Sequence, residues 1–78
     1  MVKELGYLII TQSKCSYCDK AKELLKKHQI GYFDINIDEA IWLKEILKKS
    51  EFKTVPIIFG YSNELIGGYA ELEKHLND

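Results

Sequence analysis

Leu5-Gly6-Tyr7-Leu8-Ile9-Ile10-Thr11-Gln12-Ser13-Lys14-Cys15-Ser16-Tyr17-Cys18 is the stretch whose reading decides the fold. Leu5 to Thr11 is a continuous apolar run, too short for a helix and rich enough in β-formers for a strand buried on both faces. Gln12-Ser13-Lys14 is a short polar loop that delivers the chain to its two cysteines, spaced Cys-x-x-Cys. From Ser16 to about His28, Cys18, Ala21, Leu24, Leu25 and His28 recur at helical intervals. A central strand therefore feeds a helix whose first turn carries both sulfurs.

Working outward, Gly31 suits the end of that helix. Tyr32 to Ile37 is rich in aromatic and β-branched residues and reads as a second strand. Strand, helix and strand in so few residues make a right-handed βαβ unit with parallel strands. Asp38 is the expected N-cap of a second helix running to about Lys49. Its apolar stripe is read as Ile41, Trp42, Ile46 and Leu47, with Trp42 a packing residue, while Lys44, Lys48 and Lys49 crowd the C-terminal end. A polar loop from Ser50 to Thr54 leads into Val55-Pro56, which contains the single proline. Ile57-Ile58-Phe59, a turn over residues 60–63 and Glu64-Leu65-Ile66 make an antiparallel hairpin, so the sheet must be mixed. Gly67-Gly68 breaks the chain before a last helix, Tyr69 to Leu76, with Tyr69, Leu72 and Leu76 facing inward. The expected architecture is α/β, a four-stranded mixed sheet flanked by three helices in the order β-α-β-α-β-β-α.

Two cysteines one helical turn apart can close into a disulfide and open again. The nucleophile in thiol–disulfide exchange is the thiolate, so whatever favours the anion selects the attacking sulfur. Cys15, at the helix start, faces unpaired N–H groups and the positive end of the helix dipole, with Lys14 beside it. Cys18 points the same way from inside the first turn, shielded from substrate. This divides the roles: Cys15 attacks and Cys18 resolves. The alternatives are a structural disulfide, half of a zinc site, or two buried thiols. A zinc site needs four ligands and the chain has no second cysteine pair, while His28 and His75 lack ligand-pair spacing and read as helix-surface residues. A structural disulfide between such near neighbours constrains the unfolded chain little.

At 78 residues the chain reads as one domain, 1–78, with a single core. Eleven basic and twelve acidic residues leave a net charge of −1, which offers no general attraction to nucleic acid or an anionic membrane. The cysteine-bearing helix is locally basic: Lys14, Lys20, Lys22, Lys26 and Lys27 outnumber Asp19 and Glu23. That side is either a solvated helix face or an attraction for an anionic thiol or acidic partner. The N-terminus carries no signal-peptide pattern and no stretch reaches membrane-spanning length, so a cytoplasmic monomer is expected. In that compartment a lone cysteine pair is more often catalytic than structural.

With these residues in hand, the chain resembles the glutaredoxins, proteins of the thioredoxin fold, almost from end to end. Three motifs carry the resemblance: Cys15-Ser16-Tyr17-Cys18 after the first strand, Thr54-Val55-Pro56 before the third, and Gly67-Gly68 before the last helix. The resemblance implies a cis Val55-Pro56 bond that leaves the Val55 N–H and C=O free to pair with a peptide-like thiol, as an added strand would. It implies glutathione as co-substrate, no metal and no permanently bound group. The glutathione groove would comprise Lys14, Tyr17, Thr54, Val55, Pro56, Gly67, Gly68, Tyr69 and Ala70, with Gln12 in support. Gly67 and Gly68 permit close backbone approach, and the helix after them offers N–H groups to a carboxylate. Three positions depart from the family pattern. Gln12 stands where many members have a lysine for the glycyl carboxylate, with Lys14 or Lys53 as replacement charges. Ser16 stands where proline is usual, and Ala70 where an acidic or hydroxyl residue would hold the γ-glutamyl end, with Glu71 as its neighbour. Lys14 and the short length are similar to small viral glutaredoxins that donate electrons to ribonucleotide reductase. Two further readings are a redoxin reduced by thioredoxin reductase and a module that binds glutathione and an iron–sulfur cluster.

Overall fold

The computed structural model describes residues 6–51 and 54–77. Leu5, the expected first residue of the first strand, and Lys53, a suggested replacement charge, lie outside the described residues. The elements follow in the expected order: β1 (Tyr7–Thr11), α1 (Ser16–Lys27), β2 (Tyr32–Asn36), α2 (Ile41–Lys48), β3 (Ile57–Phe59), β4 (Leu65–Gly67) and α3 (Tyr69–Asn77). The sheet order is β2-β1-β3-β4, with β1 parallel to β2 and antiparallel to β3, and β3 antiparallel to β4. This is the thioredoxin-like arrangement.

Side chains of β1 alternate between two cores, as strand geometry requires. On one face Tyr7 and Ile9 join Ala21 and Leu25 of α1, Ile58 of β3 and Leu72 of α3. On the other, Ile10 joins Ile37 and Ile57, covered by the partly buried Leu43 and Leu47 of α2. A buried strand with helices on both sides has no solvated face, which is why its sequence is unbroken by polar residues.

The end of α1 differs from expectation in one detail. Gln29, not Gly31, takes the left-handed conformation that ends the helix, at φ 59°. The Gln29 N–H donates to the Lys26 carbonyl and the Ile30 N–H to the Leu25 carbonyl, the paired bonds of a Schellman end. Gly31 serves a different contact: its carbonyl accepts the Tyr7 N–H at 2.8 Å, and a Cβ on Gly6 would stand 2.5 Å from that oxygen.

The second helix corrects two expectations. Asp38 does not cap it. The N-cap is Ala40, which makes no side-chain capping bond. Asp38 instead accepts the Ser13 N–H at 3.1 Å, reaching across to the loop before Cys15. The inward stripe is Leu43 and Leu47; Ile41, Trp42 and Ile46 are exposed at 69%, 64% and 57%. Helical spacing alone is satisfied by either stripe on so apolar a helix, and packing against Ile10, Ile37 and Ile57 selected the other.

Candidate active site

Cys15 caps α1. Its backbone is extended (φ −119°, ψ 105°) and its sulfur accepts the Cys18 N–H at 3.1 Å, so a helix-terminal donor that would otherwise lack an acceptor points at the sulfur. That geometry stabilises negative charge on Cys15. Cys15 and Cys18 are joined as a disulfide with Cα atoms 5.2 Å apart. Cys18 is 1% exposed and packs beneath the first turn, whereas Cys15 is only half-buried. Only the outer sulfur can meet a bulky reactant in line.

The loop delivering Cys15 is tied down from the far side of the sheet. Besides the bond from the Ser13 N–H to Asp38, Asn36 donates from its amide to the Ser13 hydroxyl, while the Asn36 side-chain oxygen accepts the Asp38 N–H at 2.8 Å. The hydrogen bonds from Ser13, reinforced by the charge of Lys44 at 3.5 Å, hold the Asp38 carboxyl below its ordinary range. Lys14, next in this loop, is exposed and adopts a left-handed backbone at φ 58°. A second polar brace holds the end of β1. The buried Thr11 hydroxyl donates to Asp34 at 2.6 Å, and Lys22 of α1 pairs with the same carboxylate at 2.7 Å. The hydrogen bond to Asp34 raises the Lys22 ammonium above its ordinary value.

Val55-Pro56 is a cis peptide, and the Val55 carbonyl oxygen lies 3.9 Å from the Cys15 sulfur. The Val55 backbone thus runs alongside the reactive group. Two hollows share Thr54 and Val55 in their lining. One, about 320 Å³, brings together Tyr17, Thr54, Val55, Pro56, Gly68, Tyr69 and Ala70 with Glu71. Gly67 borders the adjoining hollow around Pro56, beside Glu51 and Glu71. The other, about 330 Å³, places Gln12 beside Thr54, Val55, Lys44 and Lys48. Lys14 lines neither hollow. The Tyr17 and Tyr69 rings stand 5.9 Å apart and form one wall, with the Lys20 ammonium 4.9 Å from the Tyr17 ring centre. Gly67 takes φ 123°, open to glycine, and a Cβ there would come 2.9 Å from the Glu71 side chain.

Sequence reasoning missed Lys44, Lys48 and Glu51 as neighbours of the groove. The i, i+4 spacing of the two lysines was a usable signal, since it puts both on one side of α2. Which side meets Val55 is a tertiary fact. Among the described residues no group of three or more His, Cys, Asp or Glu stands together as a metal site.

The glutaredoxin family model matches residues 7–66. Glutaredoxin 3 of Escherichia coli K12 is 37% identical over 65 residues, covering 82% of this chain and 77% of that protein. Among solved structures, glutaredoxin 1 of Francisella tularensis superposes with a TM-score of 0.70 at 28% identity, over 94% of this chain and 98% of that one. The buckwheat glutaredoxin–glutathione complex superposes with a TM-score of 0.71 at 26% identity, over 97% and 76%. With its cysteine pair at disulfide distance, the chain belongs to the glutaredoxin family and is a thiol–disulfide oxidoreductase.

Proposed function

We propose that the chain reduces protein disulfides and glutathione mixed disulfides at the expense of glutathione. The observation that carries this reading is the half-buried Cys15 sulfur, 3.9 Å from the Val55 carbonyl at the junction of two hollows. The Cys15 thiolate attacks a substrate disulfide and expels one thiol. With a protein target, Cys18 attacks the resulting mixed disulfide, releases the second thiol and closes the Cys15–Cys18 bond. Two glutathione molecules then reopen it, leaving two cysteine thiols and one glutathione disulfide. The main chain of the glutathione cysteine pairs with the Val55 N–H and C=O, an added strand that holds its sulfur beside Cys15. Tyr17, Pro56 and Tyr69 wall the site, and the start of α3 receives one carboxylate. Lys44 and Lys48, beside Gln12, supply positive charge at the other end, which Gln12 itself lacks. The clients are disulfide proteins of a reducing compartment such as the cytosol, ribonucleotide reductase among them, and the chain acts on them as a monomer.

Reduction of a small glutathione mixed disulfide, coupled through glutathione reductase to NADPH, tests the reading directly. Absence of turnover above the uncatalysed rate would overturn it. A second reading is favoured by Gln12 and Ala70, which replace the charged or polar groups the glutathione groove commonly uses: a redoxin recharged by thioredoxin reductase. Turnover with that reductase and none with glutathione would put this reading first.

A further inference from the structure

The segment that delivers the attacking sulfur has no core of its own. Gln12, Ser13 and Lys14 are all exposed, between the buried Thr11 and the half-buried Cys15. Lys14 takes φ 58°, a left-handed conformation unfavourable for any residue with a side chain. A short exposed loop bent in this way keeps its shape only if bonds from outside hold it. Among the described residues, the hydrogen bonds that reach Ser13 from elsewhere come from Asn36 and Asp38, 23 and 25 positions on. Pairing of Thr11 with Asn36 in the β1–β2 ladder brings the turn after β2 up to this loop. There one oxygen of the Asp38 carboxylate accepts the Ser13 N–H and the other meets Lys44. Asn36 braces both partners, donating to the Ser13 hydroxyl and accepting the Asp38 N–H. Cys15 is at once the residue that follows this loop and the N-cap of α1: its sulfur accepts the Cys18 N–H at 3.1 Å and its carbonyl the Asp19 N–H at 3.2 Å. Hydrogen bonds weaken steeply with misalignment, so a loop in which Lys14 relaxes out of the left-handed region turns the sulfur off its donor.

We propose that Asp38 is a positioning residue for the exchange reaction: by accepting the Ser13 N–H it fixes the approach to α1 and keeps the Cys15 sulfur on the Cys18 N–H, which favours the thiolate. Asp38 acts through the backbone of the loop, as an acceptor. Its negative charge is not the agent, since an anion works against a second anion nearby. The proposal rests on Cys15 being the attacking sulfur, as described above.

The reduced chain carrying Cys18→Ser has a single thiol. Its thiolate displaces iodide from iodoacetamide, the carbon–sulfur bond forming as the carbon–iodine bond breaks, and the rate constant against pH gives the thiol midpoint. Thiolate absorbance in the ultraviolet reads the same midpoint independently. Adding Asp38→Ala should raise it by about 0.5 to 1. Below the midpoint, alkylation should slow by only about two- to threefold, because the more basic thiolate is the better nucleophile. Asp38→Asn keeps a side-chain oxygen for the Ser13 N–H, so it should leave the midpoint at the parent value although the charge is gone. An unchanged or lowered midpoint in Asp38→Ala overturns the proposal. An equal rise in Asp38→Ala and Asp38→Asn does so too, since lost charge or general loosening would then be the cause. Should Asp38→Ala fail to fold, Asn36→Ala takes its place: it strips the donor from the Ser13 hydroxyl and the acceptor from the Asp38 N–H, and it should raise the midpoint or the proposal falls. The chain carrying Cys15→Ser separates the two readings. A fast thiol of low midpoint there fails the assignment of Cys15 as attacking sulfur, and the proposal with it. A slow thiol there, with unchanged midpoints in the brace variants, sinks the proposal alone.

Discussion

At the scale of single residues, the inequality of the two sulfurs sets the clearest expectation. Cys15→Ser should abolish exchange with every substrate. Cys18→Ser should keep glutathione-dependent reduction of small mixed disulfides and lose reduction of protein disulfides, because the buried sulfur acts only on the covalent intermediate. The coupled NADPH assay with both substrate types checks this, and inactivity of Cys18→Ser toward both would invert the assignment. Asp38 offers a second test. Its carboxyl is held below the ordinary range by hydrogen bonds from Ser13 and by Lys44, so the stabilisation it provides is present above its unfolded-state value and fades as pH falls through the lower folded value. Asp38→Asn should therefore melt below wild type at neutral pH, with the gap closing as the pH is taken down through and below the ordinary carboxylate range; thermal melts from neutral to acid pH measure it. The sequence showed Asp38 as a residue suited to capping but not which N–H it would serve. Its partner, Ser13, lies 25 positions away, beyond the reach of any local pattern.

Among the elements, α2 separates what a local pattern specifies from what packing selects. Four apolar positions over one helix mark an amphipathic segment, but with Ile41, Trp42, Leu43, Ile46 and Leu47 all apolar, two stripes satisfy the same period. The chain buries Leu43 and Leu47 against Ile37 and Ile57. Trp42→Gln should accordingly shift stability by no more than about 0.5 kcal/mol, as at other exposed sites. Leu25→Ala, in the fully buried face of α1, should cost about 2–5 kcal/mol. Urea titration of both variants compares them, and a loss at Trp42 equal to that at Leu25 would mean that the exposed face is covered in solution. The other helices were more legible. The inward positions of α1 and α3 were correctly read at Cys18, Ala21, Leu25 and Leu72, because each alternates with charged residues that leave one apolar face.

For the molecule as a whole, the two sides of the sheet are unequally built. The α1 and α3 side has six buried apolar residues sharing one cluster, five of them, all but Tyr7, fully inaccessible. The α2 side has three, none fully inaccessible, under a helix of eight residues. Local opening follows buried apolar contact, so the α2 layer should open at a lower free energy than the central strands. Amide hydrogen exchange should find Leu47 exchanging well before Ile9 and Ile58 under native conditions, and equal protection would count against this reading. The sequence by itself determined the strand–helix–strand order, the mixed sheet and the motifs Cys15-Ser16-Tyr17-Cys18, Thr54-Val55-Pro56 and Gly67-Gly68, because periodicity, turn residues and short spacings are local properties of the chain. Only the tertiary structure decided that Val55 lies against Cys15, that Asp38 anchors the cysteine loop, and that Lys44 and Lys48 face Gln12. Those relations depend on strand pairing and on side chains reaching across, and their energies exist only once the sheet has brought distant residues within a few ångströms.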